Sequence, residues 1–237
     1  MLPPFSPIQN HILSKLKHAK SLRYSELQPK ETANDLFNYH LQFLVKKEFV
    51  IRSEDGYTLS PKGEKHIADP LGAVDPLHNL FKINVITILS RIIDGKIEIL
   101  NQVRHSNPSY GKVGVPGGVV QKGEIILVAA KRKLMEETGL RAEFRLVGVE
   151  RRMMYKEGEL FSDVLFPICY ADTSSGKLIP ETQFGANLWV PIKEAIKNES
   201  SSFDSIKSIV TVLTALKNGT IAKLPPFLEE VIQSDSR

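Results

Sequence analysis

The part of the sequence that decides the fold is residues 114–140, which read GVPGGVVQKGEIILVAAKRKLMEETGL. Paired glycines in a loop are followed by good helix formers from Ala129 to Glu137, and a glycine two residues later is the usual left-handed C-terminal cap. On such a helix Lys133, Glu136 and Glu137 are spaced i, i+3 and i+4, so their side chains share one face. The stretch therefore predicts a glycine-rich loop followed by a helix with a charged face.

This stretch resembles the Nudix box, whose family pattern is G-x5-E-x7-R-E-U-x-E-E-x-G-U, with U an aliphatic residue. The resemblance extends over roughly residues 81–199, because Leu188–Pro191 is similar to the family's late strand. It implies an α/β/α sandwich with a mixed sheet, and hence an α+β protein. One position departs from the pattern, since the family glutamate after the arginine is Lys133. The positions that match are Gly118, Glu124, Arg132, Leu134, Glu136, Glu137, Gly139 and Leu140.

The resemblance also implies a metal site. In the family, glutamates at the positions of Glu136 and Glu137 hold the metal, with help from the position of Glu124 and the carbonyl of Gly117. Carboxylates on one helix face suit Mg²⁺, with Mn²⁺ as an alternative, and the ion bridges phosphate oxygens and activates a water. Arg132 is expected to orient the carboxylates. We therefore assign catalytic roles to Arg132, Glu136 and Glu137.

Substrate contacts are predicted around the same loop. Gly118 permits a close backbone approach to a diphosphate. Arg104 is a phosphate contact if it lines the cleft and a solvated strand end otherwise, and the same alternatives apply to His105, Arg151 and Arg152. Tyr155 falls near the place where dinucleoside-polyphosphate hydrolases carry a tyrosine, although such a residue also serves in packing. The expected ligand is a nucleoside diphosphate linked to another moiety.

Lys133 puts the catalytic competence of this site in question. A cation near a divalent ion weakens its binding, and a protonated lysine offers no lone pair to a metal or a proton. Several family members recruit their base from a loop elsewhere, and three carboxylates are candidates for that role here, although each is also an ordinary surface residue: Glu157, Glu159 and Glu181.

The N-terminal segment has a different pattern. Apolar residues at helical spacing predict a helix over residues 7–17, a very short one at Ser25–Gln28 and a third from Asn34. A hairpin is predicted at Asp55-Gly56, and Pro61 opens a further helical stretch.

Residues 5–68 resemble the winged helix-turn-helix regulators of bacteria and archaea on the segments Tyr39–Val50 and Tyr57–Gly63. The resemblance implies that the third helix enters the major groove of double-stranded DNA and that side-chain amides read adenine edges. The alternative is a protein-contact module, because residues 1–70 carry a net charge of only +2. The predicted base readers are Asn34, Asn38 and Gln42, Tyr39 is a further predicted DNA contact, and the predicted phosphate contacts are Arg52 and Lys62.

Four segments are predicted along the chain. A winged helix-turn-helix domain spans residues 1–70, a linker bracketed by two Asp-Pro pairs spans 71–80, and the Nudix-like domain spans 81–199. Residues 200–237 are predicted to be a C-terminal helical segment that follows a hinge at Glu199–Ser202. In the third segment, strands at Lys82–Ile93 and Lys96–Arg104 flank an Asp-Gly turn.

Composition excludes several classes of protein. The chain has 237 residues, of which 42% are hydrophobic and 24% charged, so wholesale disorder and fibrous architectures are excluded. No apolar run approaches the roughly 20 residues of a membrane span, and the first ten residues lack the pattern of a signal peptide. The single Cys169 fits a reducing cytoplasm. We therefore expect a cytoplasmic protein without a membrane partner. We also expect a homodimer, because DNA binding by the weakly charged N-terminal segment would need two copies for useful affinity.

Three functions are compatible with this sequence. The favoured one is a Mg²⁺-dependent hydrolase of a nucleoside diphosphate linked to another moiety, with activity reduced by Lys133. The alternative is a DNA-binding transcription regulator whose Nudix-like domain senses a nucleotide metabolite. The third is a non-catalytic interaction protein. The retained box residues favour the first function, whereas Lys133 and the winged helix favour the second.

Overall fold

The computed structural model describes residues 5–68, 82–107, 109–156, 158–197 and 207–234. The chain divides into two compact units. One contains residues up to 80 together with the loop His105–Tyr110, and the other contains Phe81–Arg104 and Gly111–Arg237. The predicted linker at 71–80 and the predicted hinge at Glu199–Ser202 lie outside the described residues.

The N-terminal unit follows the order helix, helix, helix, hairpin, helix, which is consistent with a winged helix. Ser6 caps the first helix by accepting a hydrogen bond from the backbone of Gln9, and Pro7 occupies the first turn. The third helix buries Phe37, Leu41 and Leu44 in the core of the unit. The elements are α1 (Pro7–Lys17), α2 (Tyr24–Leu27), α3 (Asn34–Lys46), β1 (Val50–Ser53), β2 (Gly56–Leu59) and α4 (Pro61–Ala68).

The first hairpin turns one residue earlier than the Asp-Gly pair suggests. Ser53 pairs with Gly56, so the turn consists of Glu54 and Asp55. Gly56 lies at the start of β2 with φ of 132°, and a Cβ there would be 2.5 Å from the carbonyl oxygen of Leu22. The glycine is therefore required by the close approach of the chain before α2, and not by the turn itself.

The loop His105–Tyr110 completes the N-terminal unit. Asn107 holds it, because its backbone N–H donates to the carbonyl of Lys17 at 2.6 Å. Its side-chain amide donates to the carbonyls of Leu16 and Ala19 at 3.1 and 3.0 Å. Carbonyls at the C-terminal end of a helix lack partners within the helix. Asn107 thus caps the end of α1.

The second unit is built on a mixed eight-stranded sheet. Its main path runs β11-β4-β3-β9-β8-β12, with β5 added to β4 and β6 added to β3. The pairs β3–β9 and β8–β12 are parallel, and the other pairs of this sheet are antiparallel. The elements are β3 (Lys82–Ile93), β4 (Lys96–Arg104), β5 (Val113–Gly114), β6 (Gly117–Val119), α5 (Ile126–Thr138), β7 (Leu140–Arg141), β8 (Arg145–Lys156), β9 (Glu159–Ala171), β10 (Ser175–Gly176), β11 (Gly185–Pro191), α6 (Ile192–Lys197), α7 (Lys207–Lys217), a 3₁₀ turn (Ile221–Lys223) and β12 (Phe227–Ser234).

The turn between β3 and β4 is the predicted Asp-Gly turn. Asp94 and Gly95 have φ values of 49° and 72°, and Ile93 pairs with Lys96 around them. Two consecutive positive φ values are those of a type I′ turn.

Helices cover both faces of this sheet. Val85 and Leu89 of β3 pack with Leu134 of α5 on one face. The alternate residues Ile86 and Ile88 belong to a second cluster with α6 and α7 on the other face. Side chains alternate between the two faces of a strand, which explains how one strand serves both clusters. The α+β class, with an α/β/α sandwich and a mixed sheet, is therefore confirmed.

The C-terminal part differs from the predicted helical segment. Helix α7 is present, but residues Phe227–Ser234 form a strand that pairs in parallel with β8 at the edge of the sheet. This strand does not follow from the helical pattern before it. Within the described residues, the structure contains no helix long and apolar enough to cross a membrane.

Candidate functional site

Helix α5 presents the charged residues of the candidate site. Gly139 ends it in the left-handed conformation, with φ of 74°, and its N–H donates to the carbonyl of Met135 at 3.0 Å. Ala129, Ala130 and Leu134 bury one side of the helix against the sheet. The charged residues at 132, 133, 136 and 137 are thereby held at fixed positions beside the glycine loop.

Arg132 joins two of the glutamates. Its Nε and Nη2 donate to the two carboxylate oxygens of Glu124 at 2.7 Å each, and its Nη1 donates to both oxygens of Glu136 at 3.2 and 3.3 Å. Nη2 also donates to the carbonyl of Val119 at 3.2 Å. The hydrogen bonds from Arg132 and from the backbone of Gln121 lower the pKa of Glu124 to about 2. The loop carboxylate and the helix are therefore tied together by one guanidinium group.

Lys133 occupies the centre of the carboxylate face. Its Nζ lies 3.1 Å from Oε2 of Glu136 and 3.1 Å from Oε1 of Glu137. The ring of Phe184 covers the ammonium, with the ring centroid 4.8 Å from Nζ. The Lys133 side chain is only 12% exposed. A largely buried ammonium group thus sits between the two glutamates of the helix.

The two glutamates respond differently to this ammonium. Burial alone would raise the pKa of Glu136, but the hydrogen bonds and charges of Lys133 and Arg132 lower it. Glu137 is 5% exposed, and burial raises its pKa although Lys133 opposes the rise. The backbone N–H of Gly117 donates to Oε2 of Glu137 at 3.3 Å. Glu137 is therefore the buried member of the pair.

A close backbone contact requires the first loop glycine, and a positive φ favours the second. A Cβ on Gly117 would lie 2.3 Å from the carbonyl oxygen of Val85 in β3. A Cβ on Gly118, which has φ of 149°, would lie 2.5 Å from Cε of Lys133. At separations below 3.0 Å a neighbouring atom must shift, which is costly for the Val85 backbone and cheap for the flexible Lys133 side chain. The loop is thus pressed against the sheet at one glycine and against Lys133 at the other.

Comparison with known proteins identifies the second unit. A family model described as NUDIX domain matches residues 84–209, which is more than half of the chain. The chain belongs to the NUDIX family. A second model, described as a domain of unknown function (DUF7347), matches residues 7–69. No curated protein matches the sequence.

Solved structures with a NUDIX fold resemble this chain at low sequence identity. The MutT protein from Bacillus halodurans is 18% identical, with 65% of this chain and 91% of that chain covered at a TM-score of 0.50. The NUDIX domain of NrtR from Shewanella oneidensis, complexed with ADP ribose, is 17% identical, with 65% and 97% covered at 0.49. An Ap4A hydrolase from C. elegans is 18% identical, with 58% and 96% covered at 0.43. At these identities the likeness is one of fold.

The metal that the NUDIX family implies does not fit the side chains as they are arranged here. NUDIX hydrolases generally use a divalent metal such as Mg²⁺, which demands near-octahedral oxygen ligands at about 2.0–2.1 Å. The helix glutamates instead contact the ammonium of Lys133, and Glu124 contacts Arg132. Among the residues that the structure describes, no group of three or more His, Cys, Asp or Glu side chains is placed to hold a metal ion.

The predicted substrate contacts fall at different places in the NUDIX domain. Arg104 ends β4 opposite Gly185, and its positive charge acts on Glu137. Gly118 contacts Lys133. Tyr155 lies near the end of β8, opposite Leu160, and is not among the described side chains that hydrogen bond or pair with the glutamates. The structure therefore brings Arg104 and Gly118 to the cluster but not Tyr155.

The remaining candidate phosphate contacts are two arginines and a histidine, and each contacts another side chain of the protein. Arg151 pairs with Asp163 at 2.8 Å. Arg152 is neither a phosphate contact nor a solvated strand end, because it is buried and pairs with the fully buried Glu150 at 2.6 Å. His105 stacks on Tyr110 within the N-terminal unit, with ring centroids 5.9 Å apart.

Two of the three candidate loop bases belong to the described residues. Glu159 is the first residue of β9 and pairs with Lys156. Glu181 precedes β11 and forms an isolated β-bridge with Ala186. Both glutamates are exposed. Glu157 lies outside the described residues.

The predicted DNA-reading side chains lie on the exposed side of α3. Asn38, Tyr39 and Gln42 are exposed, Tyr39 by 65%, and Nε2 of Gln42 donates to Oδ1 of Asn38 at 3.5 Å. Oδ1 of Asn34 accepts a hydrogen bond from Gln28 at 2.7 Å. Lys62 is held against its own unit, because Nζ donates to the carbonyl of Lys47 at 2.9 Å. Arg52, the other predicted phosphate contact, is exposed on β1.

A buried polar network behind the site was not predicted from the sequence. Nδ2 of Asn187 donates to the backbone carbonyl of Glu137 at 2.8 Å, and its Oδ1 accepts from Gln102 at 3.1 Å. Thr182 also donates to the Glu137 carbonyl, at 3.2 Å. An asparagine beside the apolar Leu188–Pro191 strand is the one sequence signal for this network.

Proposed function

We propose that this protein is a ligand-responsive DNA-binding regulator whose NUDIX domain binds a nucleoside diphosphate derivative and turns it over poorly. The observation that carries this proposal is the position of Lys133, whose Nζ is 3.1 Å from both Glu136 and Glu137. The carboxylates that a hydrolase of this family offers to Mg²⁺ are here engaged by a cation of the chain itself. Ligand binding without efficient hydrolysis is the behaviour expected of a sensor.

The choice of ligand class rests on the NUDIX loop and its cations. Two glycines keep the loop free of Cβ atoms beside the cluster, and Arg104 supplies a positive charge near Glu137. A guanidinium group binds phosphate oxygens well, and glycines let the backbone approach a phosphate closely. A nucleoside diphosphate linked to a second moiety is the ligand class that we propose.

The proposed DNA contact rests on helix α3. Its exposed side carries Asn38 and Gln42, whose amides are able to make paired hydrogen bonds to adenine in the major groove. Tyr39 beside them offers an aromatic surface to the sugar-phosphate backbone or to a thymine methyl group. The net charge of this segment is small, so useful affinity requires two copies bound to adjacent half-sites. We therefore propose a homodimer as the DNA-binding form.

Mg²⁺-dependent hydrolysis of the same ligand class is the second candidate function. The specific observation in its favour is the network of Arg132 with Glu124 and Glu136, which keeps three box residues in mutual contact. In this alternative, Glu136 and Glu137 would hold the divalent ion, and the ammonium of Lys133 would have to lie away from them.

A combined screen separates the two functions. Nucleoside diphosphate derivatives are tested for Mg²⁺-dependent hydrolysis by the full-length protein, and the same compounds are tested for thermal stabilisation of it. Stabilisation without turnover supports the regulator, whereas rapid turnover supports the hydrolase. If no compound is hydrolysed and none stabilises the protein, both proposed functions are contradicted.

The DNA half of the proposal needs its own experiment. Selection from a randomised duplex library with the full-length protein, with and without a stabilising compound, should recover a two-fold-related site whose affinity falls steeply with salt. Failure to enrich any sequence in either condition contradicts the regulator.

A further inference from the structure

Cations of the chain itself offset the carboxylates of the NUDIX site. Arg132 pairs with two of its carboxylates and Lys133 pairs with two, so that Glu136 is shared between them. The charge of a further arginine acts on Glu137. The salt bridges join three carboxylates, Glu124, Glu136 and Glu137, to two cations, Arg132 and Lys133.

These charges of the chain determine whether an anionic ligand needs a divalent ion in order to bind. An uncompensated group of carboxylates repels a diphosphate, so a divalent ion must neutralise the group before the phosphates approach. In this site the neutralising charges are covalently part of the chain. The electrostatic reason for a bridging metal is therefore absent from the described cluster.

Lys133 is also placed to contact a phosphate. A lysine ammonium carries three N–H donors, and two of them suffice for the contacts to Glu136 and Glu137. Lysine binds phosphate oxygens as a point charge. Because Gly118 lies against Cε of Lys133, the ammonium lies next to the glycine loop.

From these contacts we propose that the NUDIX domain binds the diphosphate group of its ligand without a divalent cation, with the ammonium of Lys133 in the place of the metal. The inference rests on the proposed function, since it concerns the same ligand. It goes further by stating that binding is independent of metal and that the wild-type site does not take up a divalent ion by itself.

Calorimetric titration of the full-length protein tests this inference directly. The probes are inorganic pyrophosphate and ADP, each measured in excess EDTA and again in Mg²⁺, and Mn²⁺ alone is titrated in a third experiment. The expected result is binding of a probe with a similar dissociation constant in EDTA and in Mg²⁺, together with no binding of Mn²⁺ alone.

A matched pair of variants assigns the effect to one side chain. Lys133→Gln removes the ammonium but keeps a side chain of similar shape, and we expect binding in EDTA to weaken by about 10- to 100-fold, as for a lost charged hydrogen bond. Mg²⁺ should restore part of this loss. Lys131→Gln changes a lysine two residues away that pairs with Glu143 outside the cluster, and it should leave binding in EDTA unchanged.

Each other outcome overturns the inference in a distinguishable way. Binding of a probe only in Mg²⁺, or binding of Mn²⁺ alone to the wild type, refutes metal independence and leaves ligand binding by the domain intact. Undiminished binding of Lys133→Gln in EDTA refutes the role of the ammonium. No binding of pyrophosphate or ADP in either condition removes the inference together with the proposed diphosphate ligand.

Discussion

Gly118 and Lys133 fit against each other across the NUDIX site: a Cβ at position 118 would lie 2.5 Å from Cε and 3.3 Å from Nζ of the lysine. The glycine that the family motif places in the loop therefore also makes room for the lysine that departs from the motif. The ammonium reaches Glu136 and Glu137 because the loop beside it has no side chain at this point.

We first predict that Gly118→Ala displaces the Lys133 side chain and destabilises the protein. The new methyl group meets Lys133, and alanine is strained at φ of 149°, so the expected loss of unfolding free energy is about 1–3 kcal/mol. Urea unfolding measures the loss. Gly123→Ala is the control, because Gly123 also has a positive φ, 80°, but nothing lies within 4 Å of a Cβ there. An equal loss in both variants would mean that only backbone strain matters.

A second prediction concerns catalysis. Lys133→Glu restores a carboxylate on the face of Glu136 and Glu137, and it should raise Mg²⁺-dependent hydrolysis of a bound diphosphate by about 10²–10⁴-fold, the usual contribution of a general base. Initial rates with and without Mg²⁺ are the measurement. Lys131→Glu makes the same change of charge outside the cluster and should not raise the rate. A wild-type enzyme that is already fast, and that Lys133→Glu slows, would contradict the prediction.

The third prediction addresses DNA. If Asn38 reads a base, Asn38→Ala in the full-length protein should remove the sequence preference at one position of the selected site, at about 1–3 kcal/mol. Competition binding with single-position variants of the duplex measures this. Asn218→Ala alters an exposed asparagine after α7 and should change nothing. If Asn38→Ala weakened binding to all duplex sequences equally, Asn38 would contact the sugar-phosphate backbone of the DNA instead of a base.

The fourth prediction compares two neighbouring arginines on β8. Arg152 pairs with Glu150 where both side chains are almost fully buried, at 3% and 0% exposure, so Arg152→Ala should cost about 3–5 kcal/mol by leaving a buried carboxylate without its partner. The adjacent Arg151 pairs with Asp163 at a more exposed place, and Arg151→Ala should cost at most about 1 kcal/mol. Similar losses in urea unfolding would show that the burial of the first pair does not matter.

The fifth prediction concerns pH. Burial raises the pKa of the Cys169 thiol to about 12, whereas an unfolded cysteine titrates near about 8.5. Because the folded value is the higher one, the stability that depends on the neutral thiol is complete below the unfolded pKa and is lost as pH rises through the folded pKa. At pH 8 a thiol reagent should therefore label unfolded protein rapidly and native protein hardly at all. Rapid labelling of native protein would place Cys169 at the surface.

Short-range patterns predicted the local elements well. Gly139 ends α5, and the turn at Asp94-Gly95 joins β3 to β4, because each depends only on the conformations of a few consecutive residues. The first hairpin was misplaced by one residue because Gly56 serves the contact with Leu22, which is distant in sequence.

Contacts between residues far apart in the sequence could not be predicted from short-range patterns. Phe184 and Asn187 lie about fifty residues after the helix that they support, and neither belongs to a recognised spacing. Strand β12 adds to the sheet beside β8, a choice of partner that its own sequence does not encode. The contact of Lys133 with both glutamates also required the structure, since spacing predicts a shared face but not which groups meet.

Asn107 has a consequence for how the protein is made. The carbonyl of Leu16 accepts from a side chain that lies 91 residues later in the chain, so β3 and β4 are synthesised before this hydrogen bond can form. A gene fragment that stops in the region between the units encodes the helices and the hairpin but lacks Asn107. An exchange of the N-terminal unit between proteins therefore loses the three hydrogen bonds of Asn107 to α1 and the residues after it, unless the loop His105–Tyr110 is exchanged as well.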